Sequence, residues 1–421
     1  MEFENGEKMV HEVVIVGAGI AGLAAALALK RVGIKSLVLE RSSELRATGT
    51  ALVILHNAWR ALEVLGVADK LDKPYQDFQL ATGSITNLVT GVRQEFSMIS
   101  GSTSGKTRMR PIHRKFLLET LAAELPPESI RFMSKLSSIK TEVSKDSFSV
   151  TVLEMEDGSV IRAKVVIGCE GVHSAVAKWL GLAAPISSGR SAVRGVSIYP
   201  EGHGFKKQHN QYFMGNGIKG GFVPISNTEI YWYLNKKSNP QDQEIAREAK
   251  MIKWEVLKTA KDFPLEYRQV VSNCDLSSLT LAPLLFRVPW NIVLGPSHYG
   301  GVTVAGDAFH PMTPDLGQGG CSALEDAVVL ARNIANTPNN VNLGIENYVK
   351  ERRWRAARLV GASYLSGVLE PWQSRRMLSR MWESFRQYAF NWLLHSKYGT
   401  LNYDCGTLTT ADESFALNKD K

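Results

Sequence analysis

A β-branched run that ends in a spaced glycine triplet leaves a chain few folds to choose from. His11 to Val16 (HEVVIV) is such a run, Gly17, Ala18, Gly19, Ile20, Ala21 and Gly22 follow it, and an apolar helical pattern, Leu23 to Arg31, comes next. A second apolar run, Ser36 to Leu39, ends in Glu40. The pattern predicts a strand–helix–strand unit with parallel strands and a dinucleotide at its first turn. Gly17 permits the tight turn, Gly19 lets backbone approach a pyrophosphate, and Gly22 lets the helix pack on the strand. Glu40, about 20 residues on, is an acid placed to take ribose hydroxyls. FAD and NAD share this unit, so other stretches must choose between them.

At 421 residues the chain exceeds one typical domain, and two intertwined domains are expected. A hydrophobic content of 44% with 21% charged residues is that of a soluble globular protein. The net charge of +8 would suit phosphate-bearing ligands. The basic residues are scattered, however, and form no stripe with interleaved aromatics, which argues against nucleic acid. Cys169, Cys274, Cys321 and Cys405 lack metal spacing and read as reduced thiols. No run approaches the roughly 18 apolar residues of a membrane span. Met1 to Met9 carries Glu2, Glu4 and Glu7 and fits neither a secretory signal nor a transit peptide, so a cytoplasmic protein is expected.

The second informative stretch is Val302 to Ala327 (VTVAGDAFHPMTPDLGQGGCSALEDA). A buried strand is expected at Val302 to Ala305, stopped by Gly306-Asp307, with helix resuming after Gly317 to Gly320. A carboxylate at a strand end accepts hydrogen bonds from a polyol, and a glycine-rich helix start presents unpaired N–H groups to an anion. Gly306-Asp307-Ala308, His310-Pro311, Pro314, Gly317-Gln318-Gly319 and Glu325-Asp326-Ala327 resemble the second flavin signature of the single-component, aromatic-hydroxylase-type FAD monooxygenases. The plant relatives grouped with zeaxanthin epoxidase and salicylate hydroxylase are the most similar. The resemblance implies that Asp307 holds the ribityl chain and that Gly317, Gly319 and Gly320 face the pyrimidine end of the isoalloxazine ring.

Other stretches carry the same resemblance. Glu40-Arg41 followed by Leu45 to Ala51 looks like the family's flavin-covering loop, which brings Arg41, Thr50 and Ala51 to the cofactor. Arg114, at the start of a helical pattern, stands where the family keeps an arginine near the flavin pyrophosphate. Cys169-Glu170-Gly171 resembles the middle motif, with two departures: Glu170 replaces an Asp, and Ala177 stands at the usual arginine position with Lys178 beside it. Those departures bear on reduction by NAD(P)H.

Between Ser187 and Leu285 the composition shifts to aromatic-rich strands with a polar helical insertion, Gln241 to Ala260. Gly215 to Gly220 also spells Gly-x-Gly-x-x-Gly, but Gly221-Phe222-Val223-Pro224 follows instead of a helix, so a hairpin turn is the better reading. Tyr212, Phe213, Phe222, Tyr231, Trp232 and Tyr233 could wall a pocket for a flat apolar substrate, with Tyr212, Phe222, Trp232 and Pro314 the candidate contacts, although alternation turns about half of the strand residues away. Arg194 and His310 read as surface and loop-structuring residues. Leu343 to Val360 is a long amphipathic helix, and the aromatics Trp372, Trp382, Phe385, Phe390 and Trp392 beyond it read as a helical cap in preference to a membrane-surface element. The tail from Ala411 is polar and reads as disordered.

The expected fold is α/β: a Rossmann-like FAD-binding domain (10–80, 106–182 and 286–345) with an inserted antiparallel-sheet substrate domain (81–105 and 183–285), then a C-terminal helical segment and polar tail (346–421). By the resemblance, NAD(P)H reduces FAD as a transient co-substrate, O2 adds to give a flavin hydroperoxide, and oxygen passes to a small apolar or aromatic substrate by hydroxylation or epoxidation. No catalytic residue and no metal ligand is assigned. A flavin oxidase or dehydrogenase working by hydride abstraction, and a non-catalytic flavin-binding protein, are the alternatives.

Overall fold

The computed structural model describes residues 9–45, 51–98, 108–143, 149–368 and 402–408. Thr50, the aromatics from Trp372 to Trp392 and the tail from Ala411 lie outside the described residues. Among those described, no helix is long and apolar enough to cross a membrane.

The organising sheet has eight strands, and its centre runs Val302–Val304, Val160–Gly168, Val10–Val16, Ser36–Leu39, all parallel. Register decides what this sheet does. Val16 pairs with both Leu39 and Gly168, and Gly168 pairs with Val304, so four strands end at one level. The residues that follow are Gly17, Glu40, Cys169-Glu170 and Ala305-Gly306. The three motifs and Glu40, far apart in sequence, thus leave the sheet along a single carboxyl edge. In open α/β sheets that edge is where ligands bind.

The strands are apolar on both faces because both are covered. Val13, Ile15, Val165 and Ile167 point into one core, filled by the helices Ile20–Arg31, His56–Val64, Arg114–Ala123 and Gly319–Ala335. Val14, Val16 and Val166 point into the other, with Val302, Val304 and the long helix Val341–Val368. That helix extends beyond the Leu343 to Val360 pattern at both ends. The strand Val160–Gly168 begins with Val160 to Ala163 paired antiparallel to Ser149–Met155 across the Asp157-Gly158 turn.

A second sheet of seven strands runs Thr280–Phe286, Ile186–Ile198, Glu229–Lys237, Ile218–Pro224, His209–Gly215, Thr82–Asn87, Arg93–Ser97. The glycine-spaced Gly215 to Gly220 is its hairpin: Asn216 (φ 53) and Gly217 (φ 76) supply the two positive φ angles that a tight two-residue turn needs.

One face of this sheet corrects an expectation. Phe222 and Trp232 pair across strands and sit, with Val193, Phe213 and Leu234, under the helices Ala249–Thr259 and Leu265–Ser272. Both are fully buried there and wall no pocket on the opposite face of the sheet. The next residues along the strands, Tyr231 and Tyr233, and Tyr212 opposite Gly221, take the other face together with Arg194. Alternation shows that the two sets are opposed; the helices, including Leu265–Ser272 which the sequence pattern did not announce, decide which set is core.

Trp232→Ala should therefore cost about 3–5 kcal/mol of stability, as for a fully packed core aromatic. Tyr231→Ala, on the open face, should cost clearly less. Denaturant midpoints of the two variants compare the faces directly.

Candidate functional site

The first turn is built by close backbone contacts. Gly17 has φ +104, and a Cβ there would meet the Cys169 carbonyl oxygen at 2.6 Å. A Cβ on Gly22 would lie 1.9 Å from the Gly17 carbonyl oxygen, so the helix presses onto the turn. At Gly19, in contrast, an added Cβ would meet nothing within 4 Å. Gly19 is also the residue before the helix Ile20–Arg31, which no side chain caps. The turn is tight toward the protein and open toward the groove, as a phosphate cradle requires.

Glu40 closes the neighbouring turn. Its Oε2 accepts from the Ala18 amide at 2.9 Å and its Oε1 from the Ser42 amide at 2.9 Å, which fixes the carboxylate while leaving lone pairs for a diol. Arg41 beside it is exposed. Ala51 starts the strand Ala51–Ile54 and pairs with His113, next to Arg114; its methyl packs on Val196 and Ile225 rather than facing the groove.

At the fourth strand end, Gly306 (φ +60) turns the chain and Asp307 opens onto the groove. Although accessible, Asp307 is surrounded by protein, and that burial raises its carboxyl pKa against the opposing pull of His310, Arg114 and Arg194. Arg114 is half-buried with its Nε unpartnered among the described residues; desolvation lowers its pKa, the Asp307 charge raises it and Arg194 lowers it. Two guanidinium groups thus face one acid. The sequence pattern alone marked Arg194 as surface; the strand Ile186–Ile198 turns it inward, opposite Tyr233.

Beyond Asp307 the chain makes the turn Pro314–Leu316, passes Gly317 in the left-handed region (φ +64) and enters the helix Gly319–Ala335. No side chain caps this helix. Gln318, which precedes it, is pulled into the core, where the Asn57 amide donates to its Oε1 at 3.0 Å and to Glu325 Oε1 at 2.6 Å. The first N–H groups are left facing outward. A Cβ on Gly319 would come within 3.9 Å of Asp307 Oδ1 and one on Gly320 within 3.2 Å of Leu52, so acid and helix start share one side of the groove.

Two supports lie behind the loop, and of these Arg287 stands outside the motifs. Arg287 is buried and donates to the carbonyls of Ala183 (2.9 Å), Ala308 (2.7 Å) and Phe309, fixing the chain just after Asp307. Burial without a carboxylate partner lowers its pKa to about 10. Asp326 accepts from the Gly306 amide at 2.8 Å, lies 2.5 Å from His310 Nε2, and accepts from Arg352 Nε at 2.6 Å. Burial pushes the Asp326 carboxyl up, but His310 and Arg352 override it and hold the pKa at about 2. Arg352 and Arg355 also pair with Glu325, all but fully buried. His310 is therefore a structural residue behind the loop.

Glu170 does not reach into the groove. Its Oε2 accepts from Ser174 Oγ at 2.6 Å and its Oε1 from the Val176 amide at 3.1 Å, so the longer carboxylate braces its own turn. Ala177 is buried in the core while Lys178 is exposed. A cavity of about 460 Å³ lies elsewhere, lined by Asp77, Thr82, Lys206, Lys207 and His209 where the strands Thr82–Asn87 and His209–Gly215 begin, and no motif residue lines it.

Facing the helix start is the open side of the second sheet. Tyr231 and Tyr233 are stacked at 6.5 Å between centroids, Tyr212 stacks on Phe96 at 6.2 Å, and burial raises the Tyr212 pKa to about 12. A Cβ on Gly221 would lie 2.9 Å from the Tyr233 ring, so that glycine makes the room Tyr233 occupies. Tyr212, Tyr231, Tyr233 and Arg194 share this face, Pro314 is half-buried on the opposing loop, and Phe222 and Trp232 lie on the other face.

Residues 10–363 match the family described as FAD binding domain. Monooxygenase 2 of Arabidopsis thaliana is 37% identical over 414 residues, spanning 94% of this chain and 98% of that protein. The chloroplastic zeaxanthin epoxidase of an Oncidium hybrid cultivar is 27% identical, over 87% of this chain and 56% of that one. Among solved structures, a variant of HpxO of Klebsiella pneumoniae complexed with FAD has the same fold, with a TM-score of 0.76 at 22% identity over 93% of this chain and 100% of that one. HpxO complexed with FAD and uric acid gives 0.74 at 23% identity, over 92% and 97%.

The Asp326 geometry yields a pH dependence. The folded pKa lies below the ordinary 3.8, so the contribution is fully present above pH 4 and is lost as pH falls toward 2. Asp326→Asn should lose about 3–5 kcal/mol near neutrality, as expected when one partner of a buried pair is removed. Its stability should also fall less steeply below pH 4, read from denaturation midpoints across pH 3–7.

Proposed function

The chain belongs to the FAD binding domain family, and from that premise we propose that it is an NAD(P)H-driven monooxygenase placing one oxygen atom of O2 on a small, flat, apolar substrate. The observation that carries this reading is the meeting of Asp307 and the uncapped helix start with a tyrosine wall across one groove. The residues fit the cofactor: a cradle open at Gly19, a fixed acid at Glu40, a buried guanidinium nitrogen of Arg114 without a partner, and an acid beside an anion-favouring helix end.

In this reading Gly17 to Gly22 and Glu40 hold the adenosine half, Arg114 stands by the pyrophosphate, Asp307 takes the ribityl hydroxyls, and Gly317 to Gly320 take the pyrimidine end. When bound, FAD supplies the electron transfer and the activation of O2. The protein's share is orientation and electrostatics. The helix start and Arg194 favour negative charge that develops beside them. The tyrosines exclude water and present flat surfaces to a planar substrate. NAD(P)H visits transiently, since the hairpin at Gly215 to Gly220 gives no second nucleotide cradle. The names of the relatives, monooxygenase and zeaxanthin epoxidase, support oxygen insertion over hydride abstraction alone. Four free, buried cysteines suit a reducing, cytoplasmic setting.

The purified protein should be yellow with one FAD that acid precipitation releases into the supernatant. Asp307→Ala removes a charged acceptor from a polyol contact, about 1.5–3 kcal/mol, and should weaken FAD binding about ten- to a hundred-fold while the chain stays folded. Incorporation of label from ¹⁸O2, in a screen for compounds that accelerate NADPH oxidation, supports the monooxygenase. Turnover that forms product without label would establish the oxidase or dehydrogenase alternative.

A further inference from the structure

The loop between Asp307 and the uncapped helix is tied to the second sheet by one carboxylate. Asp315 lies in the turn Pro314–Leu316 and its side chain is 3% exposed. Arg190 donates to it in a two-pronged fork, NH1 to Oδ1 at 2.9 Å and NH2 to Oδ2 at 2.8 Å. Lys219 Nζ stands 3.9 Å from Asp315 Oδ1 and donates to the Ser366 carbonyl at 2.6 Å near the end of the long helix. Three parts of the molecule meet here: the loop, two strands of the tyrosine-bearing sheet, and the helix Val341–Val368.

The backbone is shaped for this contact. In the pairing of Ile186–Ile198 with Thr280–Phe286, the step from Ser187 to Ser191 on one strand matches only Leu285 to Pro283 on the other, and Gly189 in the bulge has φ +73. Bulges re-aim side chains, and Arg190 follows Gly189 directly. A Cβ on Gly367 would meet Arg190 NH2 at 2.0 Å, so the long helix has no room for a larger residue where the guanidinium passes. The Asp315 charge also falls on the Tyr233 phenol, in the wall itself.

We propose that Asp315 is a positioning residue: gripped by Arg190 and Lys219, it locks Pro314 to Gly317 and so sets the distance between the helix start at Gly319 and the tyrosine wall. The inference rests on the reading of the groove as the flavin site, in which Asp315 touches neither FAD nor substrate. A charge-assisted fork resists rotation as well as separation, so it fixes the loop in a way that one neutral hydrogen bond does not.

The test uses the full chain, with and without FAD, as wild type, Asp315→Asn and Arg190→Lys. In the apoprotein, amide exchange of 313–321 should quicken at least tenfold in Asp315→Asn and by less in Arg190→Lys, while the strand Val10–Val16 keeps its protection. With FAD bound, affinity should change by less than threefold because the adenosine half is anchored elsewhere. Flavin fluorescence should rise several-fold, and the reduction potential should fall in Arg190→Lys, where the charge is conserved. Exchange unchanged in 313–321, or quickened equally in Val10–Val16, would overturn the proposal, as would wild-type fluorescence and potential in both variants. A wild-type protein that binds no FAD would defeat the flavin reading instead, and apoprotein exchange would still decide whether Asp315 locks the loop.

Discussion

Asp326 ties three segments of the chain together at one buried carboxylate. Its carboxylate accepts from the Gly306 amide at the end of a central strand, contacts His310 in the loop, and binds Arg352 on the long helix, all out of water. A buried acid survives only if its neighbours supply what water would have supplied. The position of Asp307 follows, because Gly306 is fixed from behind and Asp307 is left facing the groove. Glu325 extends the same support forward: it binds Arg352 and Arg355 on one side and Asn57 on the other, and Asn57 in turn holds Gln318 off the helix start. The groove is polar because a second polar layer lies behind it.

The charges that line the groove are sorted by this arrangement. Behind the loop, acids and bases are paired at hydrogen-bond distance and inert. In front, Arg114 and Arg194 face Asp307, and Arg114 Nε has no partner among the described residues. Arg287 sits between the two layers and satisfies only carbonyls, so it stiffens the backbone and still leaves a positive charge near the fold of the loop. A site that must favour an anion without holding a permanent counter-ion is assembled from such half-satisfied cations and from a helix end.

What could be read from the residues and what could not follow from the range of the interactions. The turn at Gly17 to Gly22, the strand at Ser36–Leu39 and the helix after Gly319 are local patterns, and each stands within a residue or two of its expected place. The false glycine triplet at Gly215 was separable because its consequence, a helix, was missing. Phe222 and Trp232 were misplaced because period-two alternation divides a strand into two sets but does not name the inner one; that depends on where the helices Ala249–Thr259 and Leu265–Ser272 land. Arg194 was judged by its exposure as a type rather than by its partner strand. Arg287, Arg190 and Asp315 belong to no motif and act over separations of up to 125 residues, which no window of sequence contains.

Thr82–Asn87 lies parallel to His209–Gly215, and Thr82 bonds to His209 across 127 residues. Parallel neighbours cannot be joined by a turn, so this strand leaves the ribosome long before its partner exists. At about 5–20 residues per second the interval is roughly 6–25 s. Throughout it, the early strand has only Arg93–Ser97 to pair with, a fully exposed ribbon carrying Arg93 and Glu95. Charges on an edge discourage other chains from pairing there. The charged strand Arg93–Ser97 thus guards the side that stays the sheet's edge in the finished protein, while the other side of Thr82–Asn87 waits for His209–Gly215, and the tyrosine wall is completed only when synthesis has passed the middle of the polypeptide.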